Sequence, residues 1–262
     1  MRRSFLLPAL AAAVMAGCAT PPAVTEEVRA QLAPKGRLRA GMNLGNTLFT
    51  QKDAATGELR GVSVDIMREL AARLGVPLEQ VVHATPGDVA DAVDQDSWDV
   101  AILAIEQARA QKIAFSPPMT EIEATYVVHG DSPLKEVAQV DAAGVRIAAP
   151  AKAGYELYLA RTLRAATLVR TKNLGDSIRI FNARGADAVA ALKPNLLESM
   201  AAMPDGRMLE GKFMTVNHGL GTPRARGAGA AYLKAFVEEM NASGFIARSI
   251  ERHRVQGLSA VK

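Results

Sequence analysis

The run WDVAILAIEQARAQKIAFSPPM, residues 98–119, decides how the chain is read. Residues 100–105 are unbroken apolar and of strand length, the pattern of a strand covered on both faces in an α/β sheet. Charge arrives only afterwards, with Glu106 and Arg109. Ligands of open α/β sheets bind beyond the carboxyl ends of strands, so a guanidinium just past Ile105 is placed to meet an anion. Taken alone, Arg109 also reads as a solvated arginine on a polar turn, the commoner fate of this residue type.

Outward from this stretch, strand and helix patterns alternate. Residues 37–42 read as a strand, and 64–74 as a helix with Asp65 near its positive end and Ile66, Leu70 and Leu74 on one face. Residues 78–83 are the next strand and 89–93 a short helix. Such a βαβ series predicts a mainly parallel sheet. Residues 124–129 form a strand that ends at Gly130-Asp131-Ser132-Pro133, read as a crossover. A second series follows, with strands at 145–149, 167–171 and 186–192 and helices at 155–164, 177–182 and 195–203. Residues 214–220 return as a strand, and 230–240 form a helix stopped by Ser243-Gly244. The pattern predicts an α/β protein of two lobes with one cleft between them.

The 262 residues suffice for one large domain or for two lobes of about 100 residues each. The formal net charge of +4 includes Arg2 and Arg3, aromatic residues make up 5%, and basic residues alternate with acids, which argues against nucleic acid as a partner. The N-terminus reads as a signal peptide over residues 1–17: two arginines, an apolar stretch too short to span a bilayer, then small residues before Cys18. Met15-Ala16-Gly17-Cys18 resembles a lipobox, with methionine where leucine is usual. That resemblance implies lipidation of Cys18 and a membrane-anchored periplasmic protein; an ordinary signal peptide cut nearby is the alternative. Arg2-Arg3-Ser4-Phe5-Leu6 also resembles a twin-arginine export signal. Cys18 is the only cysteine, so no intramolecular disulfide forms. Residues 18–36, opening with Pro21-Pro22, read as a tether with room for a short helix, and residues 255–262 as a frayed tail.

His83, His129, His218 and His253 are far apart and lack metal-ligand spacing, so no metal is expected and the four read as surface or strand-end residues. No G-x-S-x-G, P-loop or framed G-x-G-x-x-G occurs, and Gly219-Leu220-Gly221 runs into Thr222-Pro223 as a turn would. No cofactor is expected.

Asp99 opening an apolar strand, Arg109 six residues before Phe115-Ser116-Pro117, Gly61-Val62-Ser63-Val64-Asp65 leading into a helix that ends at Gly75, and Gly41 followed by Phe49 resemble, in order and spacing, the family 3 extracellular solute-binding proteins. These are bacterial ABC-transporter receptors for amino acids and related molecules. The resemblance runs from about Arg37 to about Phe245. It implies a type II periplasmic-binding-protein fold, each lobe a mainly parallel sheet flanked by helices, with two crossing strands as hinge. Lobe 1 would comprise 37–128 plus 221–254 and lobe 2 129–220. It further implies a monomer that captures a small carboxylate-bearing ligand by hinge closure and delivers it to an ABC permease in the inner membrane.

Within this resemblance Arg109 stands at the arginine that pairs bidentately with a ligand carboxylate. Lys152, Ala153, Gly154 and Tyr155 occupy the strand-to-helix turn where the second lobe offers backbone N–H groups to the same carboxylate. Ala153 lacks the hydroxyl often found there. Asn43 and Leu192 replace two aspartates that meet a ligand amine, and Asn46 replaces a stacking aromatic ring. A buried ammonium left without a carboxylate costs on the order of several kcal/mol, so an ordinary α-amino acid is disfavoured. Glu106, where threonine is usual, is either a replacement acid or half of a solvated salt bridge. Lys193 either reaches the cleft, recognising part of the ligand with Asn43 and Asn46, or is solvated. The expected function is binding without catalysis. Two alternatives stay open: an enzyme like the periplasmic cyclohexadienyl dehydratases, with Glu106 as general acid and Arg109 as clamp, and a ligand sensor without transport.

Overall fold

The apolar runs at 100–104 and 188–192 become strands buried along their whole length, and the helices between strands bury their apolar faces. The computed structural model describes residues 23–261; the expected signal peptide and Cys18 lie outside the described residues. In chain order the first half comprises α1 (Glu26–Leu32), β1 (Leu38–Asn43), a small hairpin of β2 (Gln51–Lys52) and β3 (Leu59–Arg60), and α2 (Val62–Leu74). It continues with β4 (Leu78–His83), α3 (Pro86–Asp91), β5 (Val100–Ala104), β6 (Ile113–Phe115) and β7 (Thr120–His129). The second half comprises β8 (Arg146–Pro150), α4 (Gly154–Thr162), β9 (Thr167–Thr171), α5 (Leu174–Asn182), β10 (Ala188–Leu192), α6 (Lys193–Ser199) and β11 (Gly206–Met208). β12 (Met214–Pro223), α7 (Gly227–Ala242), α8 (Phe245–Arg252) and β13 (Ser259–Ala260) complete the chain.

The strands follow the order β4-β1-β5-β12-β7-β10-β8-β9, and three segments of this path differ in sense. β4, β1 and β5 are mutually parallel, as are β10, β8 and β9, while β12 and β7 between them run antiparallel to each other and to both groups. Two parallel lobes joined by two ten-residue crossing strands result, the fold expected from the alternating pattern.

The same device closes each lobe. Arg39 at the start of β1 gives its backbone N–H to the Asp99 carboxylate at 2.9 Å and its guanidinium to both oxygens at 3.0 and 2.7 Å, and Arg226 adds a fourth contact at 2.6 Å. In the second lobe Arg146 does the same to Asp187, at 2.8, 3.0 and 3.0 Å. The pairs differ in solvation: Arg39 and Asp99 are 5% and 0% exposed, Arg146 and Asp187 42% and 36%. Asp99, which precedes β5, thus ties β5 to β1, at a desolvation cost that makes its partners obligatory.

Several segments differ from the sequence reading. Within the expected tether, α1 buries Val28 and Leu32, and a Cβ on Gly229 of α7 would lie 2.7 Å from Leu32, so α1 packs on the first lobe. Within the expected frayed tail, Leu258 is buried and β13 pairs with Glu121 and Thr120 of β7. Gly244 ends α7 with a left-handed turn (φ 71) but opens α8 directly, so the stop signal marks a corner. α8 packs on α2 through Ser249, which donates to Asp65 at 2.7 Å.

Candidate ligand-binding site

Local hydrogen bonding fixes the wall contributed by the first lobe. Gly61, with φ 122 where only glycine is comfortable, lets α2 start against Phe49, whose carbonyl oxygen a Cβ there would strike. The Ser63 N–H and hydroxyl both donate to that oxygen, at 3.1 and 2.9 Å, and the Thr50 hydroxyl lies 2.7 Å from that of Ser63. Phe49 is thereby held over the cavity with its ring centroid 4.8 Å from that of His218 on β12. It supplies an aromatic wall three residues after Asn46, the residue read as replacing a stacking ring.

Arg109 follows β5 in a short 3₁₀ turn and is 6% exposed. Its Nη1 donates to the Ala104 carbonyl at 3.0 Å and its Nη2 crosses to the Lys152 carbonyl of the second lobe at 2.8 Å. Its Nε is buried without a partner. Among the described residues no carboxylate forms a salt bridge with it. Burial pulls the guanidinium down to about 10, partly offset by the charges of Glu106 and Asp91, so it stays cationic at neutral pH. A buried cation with only neutral partners calls for an anion.

The facing wall comes from the second lobe. Lys152 adopts a left-handed conformation (φ 59), and its N–H donates to Glu156 at 2.8 Å, an oxygen of a buried carboxylate that also holds Arg170 at 2.8 Å. The expected backbone donor at Lys152 is therefore spent inside its own lobe, and its ammonium meets Asp91 at the cleft rim. Ala153, Gly154 and Tyr155 line the cavity, with Gly154 and Tyr155 opening α4, where N–H groups have no intrahelical partner. Gly154 sits against Ala104 so closely that a Cβ would lie 2.5 Å from the alanine's.

The cavity between these walls has a volume of about 100 Å³. Asn43, Asn46 and Arg109 line it from the first lobe. Glu106 and Lys193 do not. Glu106 pairs with Arg161 at 3.1 Å, a salt bridge as one of its two readings had it but with the carboxylate buried, and Lys193 pairs with Glu123 at 3.2 Å, away from the cleft. Leu192 lines the cavity, and no acidic side chain does so among the described residues.

Of the lining residues that escaped the sequence reading, two keep an unpartnered buried atom. Asn195 stands one turn after Leu192 on α6, and its Oδ1 is buried without a partner. His218 on β12 is 6% exposed, contrary to its reading as a surface or strand-end residue, and its Nδ1 is also unpartnered. Burial, helped by the neighbouring Arg109 charge, holds its imidazole down to about 3. His129 is likewise buried, its Nε2 3.1 Å from the Ala186 carbonyl. The signal for Asn195 was its offset from Leu192, since residues three apart on a helix share a face. Among the described residues no group of His, Cys, Asp and Glu stands together to hold a metal, and no helix is long and apolar enough to cross a membrane.

Comparison with known proteins gives a consistent picture. The family model for bacterial extracellular solute-binding proteins, family 3, matches residues 38–255. No curated protein matches the chain. Among solved structures, a variant of ArgBP from T. maritima is similar with a TM-score of 0.70 and 22% identity, over 86% of this chain and 98% of that one. The amino-acid ABC transporter substrate-binding protein AbpA from Streptococcus pneumoniae, bound to L-arginine, gives 0.70 and 18%, over 84% and 95%. The ancestral amino acid-binding protein AncCDT-1, described as a precursor of cyclohexadienyl dehydratase, gives 0.69 and 20%, over 86% and 98%. At these identities the likeness establishes the fold.

Proposed function

The chain belongs to the bacterial extracellular solute-binding proteins, family 3, and on that footing we propose that it is the receptor of an ABC importer for a small carboxylate that carries no α-ammonium group. The observation that carries the reading is Arg109: a buried guanidinium at the lobe boundary that lines the cavity, bonded to two neutral carbonyls and, among the described residues, to no carboxylate, with its Nε unpartnered. A ligand carboxylate supplies the missing charge. Among the described residues the lining has no acid to meet an ammonium, in contrast to what the amino-acid names of the similar structures suggest. Asn43, Asn46 and the first turn of α4 complete the enclosure, and residues 37–128 with 221–254 and 129–220 are the two bodies that close by a hinge motion in the crossing strands.

We do not extend the reading to catalysis, because the candidate acid Glu106 is held by Arg161 outside the cavity lining. Export and lipidation at Cys18, giving a monomeric, membrane-anchored periplasmic receptor, complete the proposal. The test is a thermal-shift screen with amino acids, organic acids and polyamines. Carboxylates without an α-ammonium group should stabilise most, by about 3 kcal/mol at one hundred times the dissociation constant. Largest stabilisation by ordinary α-amino acids, or turnover of a bound acid, would overturn it.

A further inference from the structure

Most polar side chains around the cavity are already engaged within the protein. The Oδ1 atoms of Asn43, Asn46 and Asn173 accept the N–H groups of Gly45, Leu48 and Asp176, and Thr50 and Ser63 hold each other. Three lining residues keep a buried polar atom with no partner: Arg109 Nε from the first lobe, Asn195 Oδ1 from the second, and His218 Nδ1 from a crossing strand. A buried polar atom left unpaired is costly, so three of them on residues that line one cavity mark what its occupant must satisfy. Each part of the molecule contributes one of them, so a ligand that meets all three rewards closure of the cleft.

We infer that Asn195 and His218 are specificity-determining residues, which select a carboxylate bearing a neutral hydroxyl in place of a charged ammonium. The inference rests on the reading of Arg109 as the carboxylate anchor and adds what the ligand carries elsewhere. A carboxamide is neutral and pairs with a hydroxyl at little electrostatic cost, whereas an ammonium there would find no counter-charge in the lining and would share the cavity with the Arg109 cation. His218 reinforces the selection. Packed against Phe49 and beside a guanidinium, its ring offers a neutral nitrogen that pairs with a hydroxyl and repels no cation already there. Apolar neighbours such as Ile102, Leu192 and Val216 cover the remaining ligand carbons.

The probes are butanoate, its 2-, 3- and 4-hydroxy derivatives, and the matching aminobutanoates, titrated calorimetrically into the wild-type protein and into Asn195→Ala, Asn195→Asp and His218→Phe. At least one hydroxybutanoate should bind about tenfold more tightly than butanoate, the weight of one neutral hydrogen bond, and more tightly than its amino counterpart. Asn195→Ala should abolish the preference, so that the variant binds that hydroxy acid and butanoate equally. His218→Phe, which keeps a ring against Phe49, should reduce the same preference, and Asn195→Asp should hand the advantage to the amino compound. Equal binding of butanoate and all hydroxybutanoates, or a preference that survives both Asn195→Ala and His218→Phe, overturns the inference and leaves the carboxylate receptor standing. If no compound of the series binds the wild-type protein, the anchor reading falls and this one with it.

Discussion

Replacing Gly154 by alanine should hold the cleft open. Gly154 begins α4 in the second lobe, and the added methyl would meet the Ala104 Cβ of β5 at 2.5 Å, short of the 3.4 Å of ordinary contact by about 1 Å. Neither side yields easily. Ala104 is 5% exposed and paired with His218 across the sheet, and the backbone at residue 153 is tied to Pro150 and Leu157. Gly154 has no positive φ, so alanine is conformationally allowed and the unliganded protein should melt at the wild-type temperature or slightly higher. The overpacking is instead felt on closure, where about 1–3 kcal/mol corresponds to ligand binding weakened by about 5- to 150-fold. Calorimetry with the most stabilising carboxylate from the screen measures the loss, and small-angle scattering reports whether ligand still compacts the variant. Because the clash is with one methyl group, Ala104→Gly in the same chain should recover most of the affinity. Wild-type affinity in Gly154→Ala, or no recovery in the double variant, would refute the closed packing of α4 on β5.

Three further outcomes follow from the structure. Asp99→Asn should destabilise the fold by about 3–5 kcal/mol in chemical denaturation, since it strips the charge from a buried network that holds Arg39 and Arg226; Asp187→Asn, in the solvated counterpart, should cost much less, and equal losses would contradict the comparison. His218 is neutral in the fold down to about 3 while its unfolded form takes a proton near 6.5, so the unfolded state binds more protons in between and stability drops as pH falls. From pH 6.5 to 5 this amounts to about 2 kcal/mol, which His218→Gln should remove while the smaller effect of the partly buried His83 persists; an unchanged pH profile would contradict the burial argument. Cys18→Ser should move the native protein from the membrane to the soluble fraction with ligand affinity intact, and an unmodified N-terminus in the intact mass of the wild-type protein would end the anchor proposal.

The sequence disclosed the strands that are covered on both faces, because burial on both sides leaves an unbroken apolar run such as 100–105 with no competing pattern. It disclosed the order of the lobes and the walls at Arg109 and Gly154. The two-residue strands at 51–52 and 59–60, which pair with each other, and β13 in the tail, which pairs with the distant β7, carry no period long enough to read. Charged side chains kept two readings for a related reason. Glu106 is claimed by Arg161, Lys193 by Glu123 and Lys152 by Asp91, each more than fifty residues away, and only the fold brings these partners together. His218 looked like one polar residue on a strand crossing between lobes, since nothing local announces that Phe49 will cover its ring.

The account stands most directly on the affinity of the best carboxylate for Arg109→Ala and Arg109→Lys, measured by calorimetry beside circular dichroism of each variant. A buried, charge-assisted contact predicts that alanine lowers affinity by at least about one hundredfold with the fold intact, and that lysine, without the planar fork, recovers little of it. Wild-type affinity in the alanine variant would contradict the claim that Arg109 anchors the ligand.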